Sequence, residues 1–429
     1  MSDKVLRARV LTFFERPDSL DDESCYAFWE DGAVVTDGGR IAWRGNFSDL
    51  PEAYRTLPVT DHRPGILMPG FIDTHAHFAQ MGVIASYGAQ LLDWLNGYTF
   101  VQEALFEDEA HARAIAASYL DEIVRHGVTT SVVYGTSHKA AMDAFFAEAE
   151  ARGLCMIAGK VLMDRNAPGN LLDTSQSGYD DSRRLIDTWH GRGRLHYAVT
   201  PRFAITCSEA QLDLAGTLMR ETPDVFLQTH LCENRSEIEE TARLFPGARD
   251  YLDVYESNGL LGPRSLFGHC IHLEPRERTA LKESRSVAVF CPTSNLFLGS
   301  GLFDYETLTE SGVRVALATD VGAGTSYSML ATASEAYKVS QLCGYSLNPL
   351  ESFYLLTLGN ARALSMQDRI GTLEAGSDAD LIIVDSQATP AMRTRMQAAS
   401  SLTDELFVLQ TLGDDRCIAA TYVAGERLK

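Results

Sequence analysis

Pro69-Gly70-Phe71-Ile72-Asp73-Thr74-His75-Ala76-His77 is the stretch on which the reading of this chain turns. An apolar run ends in two histidines separated by one residue. Side chains on a β-strand alternate with a period of two, so His75 and His77 leave the same face. At a strand end, that geometry offers two imidazoles to one metal ion. His-x-His also occurs by chance on exposed strands, so its weight comes from what surrounds it.

Outward from this segment, apolar and β-branched runs recur at 66–72, 128–134, 154–162, 195–203, 225–229, 265–270, 287–291 and 313–319. Helix-like stretches separate them, including 109–125, 140–152, 209–220 and 235–244. Eight strand-plus-helix units predict an α/β fold, a (β/α)8 TIM-like barrel over residues 66–370. A doubly wound open sheet is the alternative, but no Gly-x-Gly-x-x-Gly turn follows the first strand. The flanks read differently. Residues 5–13, 33–36 and 40–44 look like strands, the last two joined at Asp37-Gly38-Gly39. Near the other end, 379–384, 406–412 and 417–423 read as strands, with Gly413-Asp414-Asp415 as a turn. Residues 1–65 and 371–429 are expected to form one small β-sandwich domain. There is no internal repeat and no low-complexity linker.

With 45% hydrophobic residues in a chain of 429, a large core is available. The net charge of −21 disfavours binding to nucleic-acid backbones or anionic membranes, which the chain would repel. Eight cysteines are scattered without a Cys-x-x-Cys pair, several inside strand-like runs, which fits a reduced compartment. The opening MSDKVLRARVLTF lacks a signal-peptide core, and no apolar run approaches the roughly 20 residues of a membrane span. A cytoplasmic protein is the expectation.

In a barrel, functional groups stand just past the C-terminal ends of strands. Those positions hold His75 and His77 on strand one, His230 and Glu233 at strand five, His269 at strand six and Asp320 at strand eight. Four imidazoles with carboxylates suit a borderline divalent ion such as zinc. Each residue also has a structural reading. A lone strand histidine is commonly satisfied by its neighbours, and Glu233 could favour a helix start beside a Ser236-x-x-Glu239 capping box. Asp320 could cap a turn near Gly322 and Gly324. Recurrence at one position of successive units favours a shared site. His62, His111, His126, His190 and His196 sit in helical, turn or strand-start contexts and read as structural or surface, while His138 and His272 lie near enough to approach the site. Some barrel metalloenzymes bridge two ions with a lysine on strand four. Here strand four has none, and Lys160 belongs to strand three, so one ion is favoured.

The segments PGFIDTHAHFAQ, QLLDWLNGYTF, VLMDRNAPGNLLD, VTPRFAITCSE, QTHLCENRSEIE, FGHCIHL, FCPTSNLFLGSGLF and LATDVGAGTSYSM carry a resemblance that runs nearly end to end. Through them the chain resembles the amidohydrolase superfamily, in its purine-deaminase branch. The resemblance implies one Zn2+ held by His75, His77, His230 and Asp320, with Glu233 as the proton-shuttling acid/base. It puts His269 beside the attacking water, with Asp320, and gives Gln80, Arg202 and Phe203 a place along the purine, with His230 and His269 adjoining. The implied reaction is hydrolytic deamination of guanine to xanthine and ammonia, in a homodimer. The stretch 87–100, with Trp94 and Tyr98, and residues 166–173 are candidate covers. The alternatives are deamination of another purine, a pterin or a triazine, and a non-catalytic barrel scaffold.

Overall fold

The computed structural model describes residues 3–87 and 91–429, so residues 88–90 of the expected cover lie outside the described residues. The chain begins with β1 (Lys4–Phe13), β2 (Tyr26–Asp37), β3 (Arg40–Asn46) and β4 (Val59–Pro69). The barrel strands follow: β5 (Phe71–His77), β6 (Val128–Tyr134), β7 (Cys155–Gly159), the short β8 (Val161–Leu162), β9 (Leu195–Pro201), β10 (Phe226–Leu231), β11 (Ser265–His269), β12 (Val287–Phe290) and β13 (Arg314–Leu317). Three more, β14 (Leu381–Val384), β15 (Ile418–Val423) and β16 (Glu426–Arg427), close the sequence.

Strands β5-β6-β7-β9-β10-β11-β12-β13 are parallel neighbours in that order, with β8 extending the β9 pairing. Each contributes a residue to the interior: Ile72, Val132, Ile157, Ala198, Phe226, Leu266, Val289 and Ala316 pack together, with Leu364 and Ile370 joining them. The barrel is therefore a filled core, and ligands can enter only past its C-terminal rim.

Between β13 and β5 the ladder gives way to side chains. Asn360 Nδ2 donates to Ile72 O at 2.7 Å and Leu317 O at 2.8 Å, while its Oδ1 accepts from Leu317 N at 2.9 Å. Asp73 accepts from Thr319 N at 3.0 Å and from the Thr319 hydroxyl. Backbone bonds from Asp320 N to His75 O (2.8 Å) and from His77 N to Val321 O (3.0 Å) complete the closure.

The terminal segments meet in one seven-stranded sheet, β3-β2-β1-β4-β14-β15-β16, where the sequence suggested a small sandwich. The apolar run 66–72 serves both bodies. Its first part finishes β4, paired with β1 and β14, and its second part starts the barrel after Gly70. A Cβ on Gly70 would lie 2.2 Å from Thr129 Oγ1, so the crossing needs glycine. One expectation fails. Residues 406–412 belong to the helix Leu402–Leu412, whose Ser401 hydroxyl caps Asp404 N at 3.1 Å. The helix buries Leu406 and Leu409, a spacing of three that a short apolar run cannot distinguish from a strand.

All eight cysteines are free, and seven are buried. No helix among the described residues is long and apolar enough to cross a membrane.

Candidate active site

His75 and His77 are buried on β5, and β10 carries His230. His269 ends β11, whereas Asp320 stands three residues beyond β13. The backbone turns sharply to aim these groups: Cys232, His269, Cys270 and Asp320 all adopt positive φ, at 51°, 72°, 49° and 51°. Non-glycine residues rarely do so, and such conformations persist where surrounding structure enforces them.

His75 Nε2, His77 Nε2 and Asp320 Oδ1 form a triangle with every side 3.3 Å. A tetrahedral zinc site with ligands about 2.0–2.2 Å from the centre has edges of about 3.3–3.6 Å. The donor spacing therefore fits a zinc-sized ion. The His230 ring lies 4.9 Å from that of His75 and 5.3 Å from that of His77. His230 Nδ1 meets the carbonyl of Arg202 at 2.6 Å. A carbonyl only accepts, so Nδ1 carries the proton and Nε2 is left with a lone pair, the form that binds metals. Tyr134 at the end of β6 packs beneath all three rings, its centroid 4.5–4.7 Å from theirs.

The electrostatics favour the ligand forms. Burial pushes His77 down to about 4 and His230 well below the usual imidazole range, keeping both neutral at neutral pH. For Asp320, burial opposes ionisation, but His75 and His77 override it and hold the carboxyl well below its usual range. Cys291 also comes close to His75 and Asp320, yet burial drives its thiol well up, away from the thiolate a metal prefers.

His269 turns Nδ1 to Asn295 Oδ1 at 2.9 Å and faces Nε2 to Glu233 Oε2 at 3.4 Å and Asp320 Oδ2 at 3.9 Å. Glu233 has one oxygen engaged, Oε1 accepting from the Ser300 hydroxyl at 2.9 Å. Burial raises its carboxyl to about 8, the charge of Asp320 adding to the effect. His272 reaches this group only indirectly, through the Ser300 carbonyl at 2.9 Å. The helix after Glu233, Arg235–Leu244, starts at a capping box of Asn234 and Glu237, two residues before the Ser236–Glu239 pair expected for it. Its Glu237 carboxylate accepts Glu233 N at 2.9 Å, anchoring the backbone of the acid.

Gln80, Arg202 and Phe203 line the same cavity as His77, His230, Glu233, His269 and Asp320. Leu91, Trp94 and Leu95 form another side, so part of the expected cover does meet the site. Tyr98 is partly exposed and does not line it. In the 166–173 segment, Leu171 packs into the apolar cluster of Trp94, Leu95 and Phe203. Lys160 is fully buried and pairs with Asp173, apart from the donor cluster.

Sequence reasoning missed Glu103, Tyr134, Asn295 and Ser300. Glu103 bonds both Gln80 and Arg202. Tyr134 ends a strand that was read correctly, so its position carried a usable signal. Glu103, Asn295 and Ser300 lie in connecting segments, where residue type alone gives none.

The family model for the amidohydrolase family matches residues 66–428. Guanine deaminase of Escherichia coli is 46% identical over 406 residues, covering 94% of this chain and 92% of that protein. The human guanine deaminase is 30% identical over 374 residues, 84% of this chain and 82% of the relative. Among solved structures, the E. coli guanine deaminase superposes with a TM-score of 0.96 at 44% identity over 99% of each chain. A guanine deaminase from C. acetobutylicum, solved with guanine in its active site, gives 0.90 at 28% identity over the whole of both chains.

Proposed function

Because this chain belongs to the amidohydrolase family, we infer from its donors and cavity that it hydrolyses guanine to xanthine and ammonia. The observation that carries the reading is one cavity lined both by metal-type donors and by Gln80, Arg202 and Phe203, groups suited to a flat polar base. The substrate is a purine, and the metal in our reading is a single zinc ion held by His75, His77, His230 and Asp320. When bound, zinc supplies a Lewis acid that lowers the pKa of water from about 15.7 towards about 7.

The chain's own groups do the rest. Glu233 Oε2, free of the Ser300 bond, takes the proton of the attacking water. It delivers that proton to purine N3, next to the attacked C2, then takes the second proton from the hydroxyl now on C2 and passes it to the departing amine. The C2–N bond breaks as the C2–O bond becomes a carbonyl, and ammonia leaves. A carboxyl raised to about 8 by burial releases a proton readily to a basic amine, while nearby positive charge would restore its power to accept one. His269 Nε2 and Asp320 orient the water. Arg202 directs donors at the acceptor edge of the base, Gln80 meets the ring N1–H, and Phe203 covers the ring face.

The assembly we propose is a cytoplasmic homodimer, in line with the family resemblance and with Val101 and Leu105 standing more than half exposed. Light scattering tests the assembly. The reaction is tested by ammonia release from guanine, 8-oxoguanine, adenine, pterin and cytosine, with zinc quantified in the same sample. We expect guanine to dominate in zinc-loaded protein. Turnover of another base without turnover of guanine overturns the substrate, and a metal-free, inactive protein supports a scaffold.

A further inference from the structure

We propose that Glu103 is a positioning residue that fixes the polarity with which this cavity reads its base, an inference that rests on the guanine reading above. Glu103 lies in the short helix Phe100–Ala104, within the segment linking β5 to its long helix, and is fully buried. Its two oxygens serve two different groups. Oε1 accepts from Gln80 Nε2 at 3.0 Å, and Oε2 accepts from Arg202 Nη1 at 2.7 Å. The Arg202 guanidinium also lies over the Phe100 ring, 5.1 Å from its centre, so one short helix holds it by charge and by face.

A carboxylate accepts hydrogen bonds and donates none. Facing one, the Gln80 amide must turn its NH2 group towards Glu103, which leaves Oε1 on the opposite side as an acceptor. Room for that oxygen exists because residue 322 is glycine: a Cβ there would come within 2.1 Å of Gln80 Oε1. Arg202, tied through Nη1, keeps its remaining donors in one plane. The cavity thus offers an acceptor and a set of donors that cannot exchange places. That pattern suits a ring N–H beside a carbonyl oxygen, as in guanine, and opposes a bare ring nitrogen in the same position. 2-Aminopurine carries the same amine on C2 but has neither N1–H nor O6. Wild-type discrimination between these bases therefore measures the pattern directly, and Glu103 maintains it without touching either base.

Glu103→Gln keeps the shape but can satisfy only one of the two partners as before, which frees the Gln80 amide to reverse. The test measures kcat and KM of zinc-loaded wild type, Glu103→Gln and Glu103→Asp on guanine and on 2-aminopurine, with zinc content and circular dichroism checked for each. Expected are a KM for guanine raised about tenfold with kcat much less affected, a guanine preference narrowed about tenfold or more, and partial recovery in Glu103→Asp. An equal loss on both bases, or no change, overturns the proposal. If Glu103→Gln does not fold, Glu103→Asp, which retracts the carboxylate from both partners, must still narrow the guanine preference, by a smaller factor, and an equal loss on both bases there overturns it too. Wild type that ignores guanine overturns the functional reading instead, whereas wild type that deaminates both bases equally overturns this one.

Discussion

Glu233 illustrates how a single residue divides its work between two oxygens. Ser300 holds Oε1, and in the proposed mechanism Oε2 is the atom left to move protons. Glu233→Gln preserves the shape and the Ser300 contact while removing the titratable site. Metal content should match that of the wild type, and kcat should fall about 10²–10⁴-fold. Near-normal turnover in metal-replete protein would defeat the proton-transfer role. At this scale the sequence was legible where strand geometry dictates position. His75, His77, His230 and His269 lie on strands whose ends could be located by pattern, and the structure gathers them. Glu103 was not legible, because its partner Arg202 is far off in sequence and a glutamate within Glu103-Ala104-Leu105-Phe106-Glu107 reads as a solvated acid.

Elements depend on a few lacing residues. Asn360 spends its whole amide on the gap between β5 and β13, making three buried hydrogen bonds. Asn360→Ala takes the amide away from the Leu317 N–H and the Ile72 carbonyl, and leaves the Leu317 carbonyl to the Thr74 hydroxyl alone. A loss of about 3 kcal/mol is expected, read as a lowered midpoint in chemical denaturation. An unchanged midpoint would mean that Asp73 and the backbone bonds close the barrel without Asn360. The pattern of eight strands was readable because each is an apolar run bounded by turn residues. The contribution of Asn360 was not, since an asparagine in Leu358-Gly359-Asn360-Ala361 carries no sign of what it bridges. The helix Leu402–Leu412 escaped for a related reason: its apolar residues are too few to establish a period, and its docking decides its form.

For the molecule as a whole, acid is the revealing stress. His196, near the start of β9, is held neutral by burial, with His190, Arg264 and Arg369 adding to the effect, and its pKa falls to about 4. An unfolded histidine titrates near 6.5. Above that pH neither state is charged and His196 costs nothing. Between about 6.5 and 4 the unfolded chain gains a proton that the folded chain refuses, so stability falls as pH falls. The full cost below that window is roughly 3 kcal/mol. His196→Gln should flatten this part of the stability profile in urea titrations across the pH range. An identical slope in the variant would assign the acid sensitivity to other groups. The seam between β5 and β13 has one more consequence at this scale. Its two lips carry separate shares of the donor triangle, His75 and His77 on one and Asp320 just past the other. Spreading the lips would leave each with an incomplete nest for a cation. With the proposed ion bound there, its capture and closure of the wall would be one equilibrium: the ion would act as a clasp whose affinity reports how tightly the barrel is shut.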